Sequence, residues 1–306
     1  MAINRAQLVK ELEPGLNALF GLEYSRYPDE TVPLFDQEGS DRAFEEEVLL
    51  EGFGAAVVKD EGGGVSYDSA AEAWTARYQH ETIALAFSLT EEAIEDNLYE
   101  KLSARYTKAL ARSMIHTKNV KGAAIFNNAF STSYPGGDGK SLCAEGATNG
   151  HPLTGGGYLD NEPTTAVDLN ETALEAAYIA ISKWTDEKGL KVAIQPLKLC
   201  IPTDLAFVAE RILMSSLRVE TSDNDINAIK SMSAVPGGYE VNHYFTDTDA
   251  WFLKTDAPNA LKRFNRVGMK TGMEGDFESG NVRYKARERY SFGWSDYRGL
   301  YGSPGI

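Results

Sequence analysis

The tripeptide Gly139, Lys140 and Ser141 has the ending of a phosphate-binding loop, in which backbone N–H groups and a lysine cradle phosphates at the mouth of a helix. Such a loop needs a further glycine where this chain has Tyr134, and the preceding IFNNAFSTSY is not an apolar strand feeding a helix. Nucleotide binding is therefore rejected, and PGGDGK reads as a mobile surface turn. Carboxylates are abundant, but no spacing singles out a pair for general acid–base work, and HExxH, GxSxG and GxGxxG do not occur. Cys143 and Cys200 lie far apart with no CxxC or Cys/His cluster, which points away from zinc and disulfide frameworks and toward a reducing cytoplasm. His80 falls on a mostly apolar strand face with no second His or Cys nearby, and reads as a hydrogen-bonded core residue instead of a ligand or base. Asn170, Glu171 and Thr172 spell a glycosylation sequon, yet a helix cap explains the same residues and the chain carries no secretory signal. The expectation is a chain with no catalytic residue, no cofactor and no metal.

What remains is charge. In VRYKARERYSFGW the residues Arg283, Lys285, Arg287 and Arg289 share one face of a strand, while Val282, Tyr284, Ala286, Tyr290, Phe292 and Trp294 share the other, interrupted by Glu288. A formal net charge of -15 repels free nucleic acid over most of the surface, so a local basic stripe implies a specific partner. It can face a packaged polyanion, or it can neutralise acidic segments of neighbouring copies, the slightly favoured reading; a merely solvated face is the bland alternative. Acid is concentrated in residues 1–60, from Glu11 to Asp60. A second exposed feature is the turn Lys59, Asp60, Glu61, Gly62, Gly63 and Gly64, where glycine supplies the positive-φ positions of a tight reversal.

The elements that position these residues follow from hydrophobic period. Residues 1–47 carry one amphipathic piece around Leu8, Leu12, Leu16 and Leu19, then become acidic with Pro28 and Pro33. Such a segment buries too little apolar surface to offset its own ordering entropy, so it reads as an arm lying on another subunit or on the body. Two strand-capable runs flank DEGGG as a long hairpin, and in the second limb Trp74, Ala76, Tyr78 and His80 alternate with Thr75, Arg77, Gln79 and Glu81. A helix capped by Thr90 follows, with Glu91 and Glu92 at the positive end of its dipole and Leu89 stapled to Ile94. Its stripe is Ile94, Leu98, Leu102, Tyr106, Leu110 and Met114, Lys101 to Lys118 load its later turns, and Gly122 bounds it. Residues 131–168 are loop-rich. Asn170 caps a second helix with Leu174, Ala177, Tyr178, Ile181 and Trp184 inward, closed near Gly189. A strand over 197–201, a helix from Thr203 and strand-like runs YEVNHYF and AWFLKT complete a mixed α and β region. RFNRVGMKTGMEGDFESGN then supplies a partner for the basic strand. Apolar residues make up 42% and charged residues 25%, values of a folded globular chain. No apolar run approaches the ~18 residues of a membrane span.

This order of elements, together with FGAAVVKDEGGGVSYD, WTARYQHETIALAFSLTEEAIEDNLYEKLSARYTKALARSM, VKGAAIFNNAF, DNDINAIKSM, NHYFTDTDAWFLKTD and GMEGDFESGNVRYKARERYSFGWSDYRGLYGS, resembles the tailed-phage major capsid proteins of the Hong Kong 97 type. The resemblance runs from about residue 45 almost to the end. It implies an α+β fold with an N-terminal arm (1–47), an extended loop (48–88), a peripheral domain with a spine helix (89–121), an axial domain (122–260) and returning peripheral strands (261–306). It also implies a structural, non-enzymatic subunit without cofactor, self-assembling as hexamers and pentamers into an icosahedral head around double-stranded DNA. A scaffold protein, a portal and an optional decoration protein would be its partners. Its places would be the virion capsid and, during assembly, the host cytoplasm. Some relatives crosslink through an extended-loop lysine, and Lys59 lies near that tip, but the carboxylate and asparagine partners are not evident and the chemistry is not carried over. Deleting residues 1–40 is expected to leave a folded monomer that makes no stable shell. Two alternatives remain: an encapsulin-like compartment shell, and a cytoplasmic enzyme whose 131–168 loops bind an anion.

Overall fold

Two helices, α1 (Arg5–Arg26) and α2 (Tyr99–Asn127), pack on one face of a four-stranded sheet ordered β1 (Asp36–Gly39), β10 (Leu261–Gly275), β11 (Val282–Trp294) and β4 (Glu81–Leu89). The computed structural model describes residues 5–90, 99–217, 226–276 and 280–306, without the side chains of 5–12 and 99–102. Expectations for Leu8, Leu12, Glu91, Glu92, Ile94, Leu98, Lys101 and Leu102 fall outside that description.

The 29 residues of α2 span about 43 Å at 1.5 Å each. Its inward seam is Thr107, Leu110, Ala111, Met114, Ile115, Lys118, Asn119, Gly122, Ala123 and Phe126, in steps that alternate between three and one, so that two adjacent i, i+4 rows face inward together. Tyr106, which the sequence pattern places in the apolar stripe, stands outside this seam and is 46% exposed. Gly122 does not end the helix. It sits in the seam where a Cβ would stand 2.5 Å from Thr31 Cγ2, so its missing side chain lets the segment after α1 cross at close range.

Of residues 1–47, the described part lies on the body of its own chain, one of the two places that the sequence allows. Leu16 and Phe20 pack with Leu110, Ala111, Met114, Tyr284 and Ala286. Leu34 and Phe35 are buried among Phe126, Leu142, Leu261 and Leu300, and β1 joins β10 in parallel. Its acids meet cations of the same chain: Glu23 with Lys108 (3.1 Å), Asp29 with Arg263 (2.8 Å), Asp36 with Lys254 (3.1 Å) and Glu38 with Lys262 (2.9 Å), whose ammonium also holds Glu47. Partners supplied by late strands offset the ordering entropy that the segment cannot offset alone. Removing residues 1–40 would strip α1, β1 and the buried Leu16, Phe20, Leu34 and Phe35 from the body, so the folded monomer expected for that deletion is no longer expected.

Glu288, the interruption in the apolar face of β11, is 3% exposed and lies 2.5 Å from Lys118 Nζ. Tyr24 of α1 donates its hydroxyl to the other carboxylate oxygen at 2.5 Å, and burial together with the Glu288 charge pushes that phenol's pKa up. Lys118 therefore does not serve the helix end; it joins α1, α2 and β11 inside the core.

Strand β2 (Phe44–Leu50) pairs with β3 (Glu72–Gln79), and the ladder stops there, leaving residues 51–71 outside any strand. The hairpin is therefore shorter in its strands, and longer in its loop, than the sequence suggests. The loop-rich region contains a small hairpin, β5 (His151–Pro152) with β6 (Tyr158–Leu159). Its PGGDGK turn is tied to the body by side-chain and backbone contacts. Gly136 N donates to Lys140 O at 2.7 Å, Lys140 Nζ donates to Thr148 O at 2.7 Å, and Asp138 lies 2.5 Å from Nδ1 of buried His151. Gly136 and Gly137 abut Trp294 and Trp74 with no room for a Cβ.

A second sheet, β12 (Leu300–Ser303), β9 (Trp251–Thr255), β7 (Pro196–Pro202) and β8 (Tyr239–Asn242), shares one core with α3 (Glu171–Lys183), α4 (Ala206–Met214) and α5 (Ala228–Ser231). Asn170 caps α3 by accepting from Ala173 N at 2.8 Å. The helix stops at Lys183, before Gly189, which instead turns the following loop at φ 83°. Only 239–242 of YEVNHYF forms strand.

Lys118→Ala, which leaves Glu288 buried without its cation, is expected to cost about 3–5 kcal/mol in urea unfolding, whereas Lys118→Met with Glu288→Leu recovers most of that loss. A second expectation concerns pH. Burial, then Glu145 and Asp160, push the Glu162 carboxyl from 4.5 up to about 7, so the folded chain keeps a proton that the unfolded chain releases between those values. Stability then falls as pH rises across that window and levels off above it. Glu162→Gln should raise the melting temperature above pH 7 and leave it unchanged below the ordinary carboxylate range, as read by thermal scans in a pH series.

Candidate functional site, a basic sheet face

Period-two geometry divides β11 between two environments. Val282, Tyr284, Ala286, Glu288 and Tyr290 are buried beneath the helices, while Arg283, Lys285 and Arg287 stand exposed on the opposite face and Arg289 is half-buried at its end. Directly opposed residues share a face, so β4 contributes Ser88, Ala86, Ala84 and Thr82 beside the four basic residues, in that order. On the other side β10 contributes Glu274, Gly272 and Lys270. The result is a row of long cations flanked on the β4 side by small side chains, which leaves that flank open to close approach.

Arg283 is paired with Asp276 at 2.7 Å. Lys285 and Arg287 carry no ion pair among the described residues, and Lys270 directly opposite Arg287 adds like charge. At the buried end, the Nε atoms of Arg289 and Arg266 have no hydrogen-bond partner. Both arginines act on His80, whose pKa is lowered by burial first and by Arg289 next. The imidazole lies 2.9 Å from Ser40 Oγ and 3.0 Å from Ser291 Oγ, so the histidine is hydrogen-bonded as its sequence context suggests.

The turn Lys59, Asp60, Glu61, Gly62, Gly63 and Gly64 is exposed throughout. Gly62 adopts φ 79° and Gly63 N donates to Asp60 O at 3.0 Å, which makes the reversal. Two hydrogen bonds hold the loop's limbs, Glu51 N to Ala71 O at 2.8 Å and Gly54 N to Asp68 Oδ2 at 2.7 Å. Around it Phe53, Val57, Val58, Val65 and Tyr67 are each more than 60% exposed. No hydrogen bond or ion pair among the described residues joins this turn to the basic face of the same chain.

The sequence reading found the β11 row but not Lys270 and Arg266. Two irregularities in the ladder, between Asn265 and Val267 and between Val267 and Lys270, break the alternation of β10 that would have revealed them. The glycine-rich spacing of RVGMKTG was the available signal.

A family model described as phage capsid protein matches residues 72–303. No curated protein sequence matches the chain. Among solved structures, the capsid of Myoviridae phage XM1 superposes with a TM-score of 0.55 at 10% identity, covering 89% of each chain. The capsid of a native GTA particle gives 0.54 at 13% identity over 90% of this chain and 89% of that one. A virus-like particle from Pyrococcus furiosus gives 0.52 at 10% identity over 94% and 97%. At these identities the likeness is one of fold.

Proposed function

The chain belongs to the phage capsid protein family, and we propose that it builds the head of a tailed phage as hexamers and pentamers of an icosahedral shell filled with double-stranded DNA. It is a structural major capsid protein of the virion. The observation that carries this reading is the family match across 72–303, which takes in the second sheet, all of the first but β1, and with it the basic strand. The Hong Kong 97-type α+β architecture agrees with it. Work by packing and not by catalysis follows from that membership, with scaffold protein, portal and decoration protein as further partners and the host cytoplasm as the place of assembly. The fold is shared with a virus-like particle, so the architecture alone does not select the cargo; the family match favours DNA over an encapsulin-like protein cargo. Purified particles should contain nuclease-protected DNA of uniform length, and particles carrying bound protein and no nucleic acid would reverse the reading.

For the basic face, neighbour contact is favoured. Glu23, Asp29, Asp36, Glu38 and Glu47 already have cations in their own chain. The exposed Asp60 and Glu61 of the loop tip have none among the described residues, and they project with the loop, so a neighbour's loop is the acidic segment favoured as partner of the face. Arg287→Glu is expected to keep the parent's unfolding midpoint, since an exposed substitution of this kind changes stability by less than about 0.5 kcal/mol. It should also lower shell yield in an assembly assay. Normal empty shells that fail only in retaining DNA would assign the face to the packaged polyanion instead.

A further inference from the structure

A groove of about 280 Å³ opens between α3 and α5, walled by Leu174, Tyr178, Ile179, Ile229, Met232 and Leu253. Glu175 is the one charged residue lining it. Its rim is solvated, with Met232 65% exposed. Helix α4 presents a complementary shape. It buries Ala209, Ile212 and Leu213, and on its outer side Phe207, Arg211 and Met214 follow at the i, i+4, i+7 spacing of one stripe. Phe207 is 81% exposed, so it fills no cavity of its own chain, and its carbonyl accepts from Arg211 Nε at 3.2 Å. Neither Arg211 nor Glu175 has an ion pair among the described residues.

We propose that this stripe is a docking knob for a second copy of the chain, with Phe207 seated in the neighbour's groove and Arg211 meeting the neighbour's Glu175. The argument is complementarity of both kinds. A flat aromatic ring fits an apolar slot, and the single cation beside the ring matches the single anion of the slot, so a helix laid in a groove satisfies both at once. Knob and groove share no residue, which makes the contact heterologous: each copy offers its knob to one neighbour and its groove to another, and repetition closes a ring when the rotation allows. This deepens the shell reading and rests on it, since it names the contact that would hold neighbours within a hexamer or pentamer.

The test is a disulfide trap in the full chain. Met214→Cys with Met232→Cys, which keeps the Phe207 knob, is assembled into shells beside the parent, whose own Cys143 and Cys200 are buried and free. A non-reducing denaturing gel of the double variant should show a ladder ending at five and six copies, absent from either single variant. Shells of the double variant that run only as monomer overturn the contact while leaving the capsid reading intact. A parent chain that forms no shell or ring overturns both. A charge reversal adds an arm independent of cysteine: Arg211→Glu should lose ring formation without changing the monomer's circular dichroism, and adding Glu175→Arg should restore it. Failure of that rescue in shells that otherwise assemble counts against the pairing.

Discussion

A β-strand has two faces, and the position of β11 at the centre of the chain's longest-range contacts determines how both are used. Its inner face closes the core under α1 and α2, where Tyr284, Ala286 and the Glu288–Lys118–Tyr24 cluster lie. With that face committed to the body, the alternating arginines and lysine have nowhere to go but outward. The basic face is therefore the geometric counterpart of the core beneath it, and neither can be moved by one residue without inverting both. Buried charge at Glu288 reinforces the constraint, because a slip of register would bring an arginine against Lys118 and leave the carboxylate in solvent.

The same strands determine when the chain can finish folding. Residues 29–47 are held by Lys254, Lys262 and Arg263, more than 200 positions later. Until β10 exists, β1 has no partner strand and the cations of β10 are missing, so the acidic segment stays solvated while β7, β8, β9 and their helices, contiguous over 171–255, can collapse first. Contacts of such separation close slowly. A concentration of acid in the first sixty residues is useful in that interval, since like charge keeps the exposed segment from associating before its cations arrive.

Much of this was legible locally. Period two identified β3 and β11, the Asn170 cap opened α3, and the anomaly of Glu288 was visible as a break in an apolar row. What was illegible is what lies across the fold. Nothing near Glu288 in sequence names Lys118, and Gly122 looks like a helix terminator until Thr31 is seen beside it. Which of two surfaces the acidic segment lies on was hidden because its cations are encoded at the other end of the chain. The contacts of PGGDGK were hidden because the tryptophans that abut its glycines, Trp74 and Trp294, belong to two other strands. Lys270 was hidden by the irregular ladder of β10, and the groove that faces Phe207 is assembled from α3, α5 and the second sheet, so no single stretch of sequence contains it.

These placements change how assembly has to be understood. A chain that lays residues 13–47 on its own body enters association with its cores already built, so most of its contacting surfaces are preformed and little ordering entropy is lost when they meet. The 51–71 loop is the exception, with its ladder ended at Leu50 and Glu72 and its Phe53, Val58 and Tyr67 left in water. Apolar side chains on an unpaired loop are stabilised only by a surface from another molecule, and ordering them is a cost met at the moment of contact. Rigid knobs and faces can thus set the geometry of a ring first, with the loop adding its burial afterwards. Association would then be weak and correctable while copies find their register, and tight only once a neighbour covers the loop.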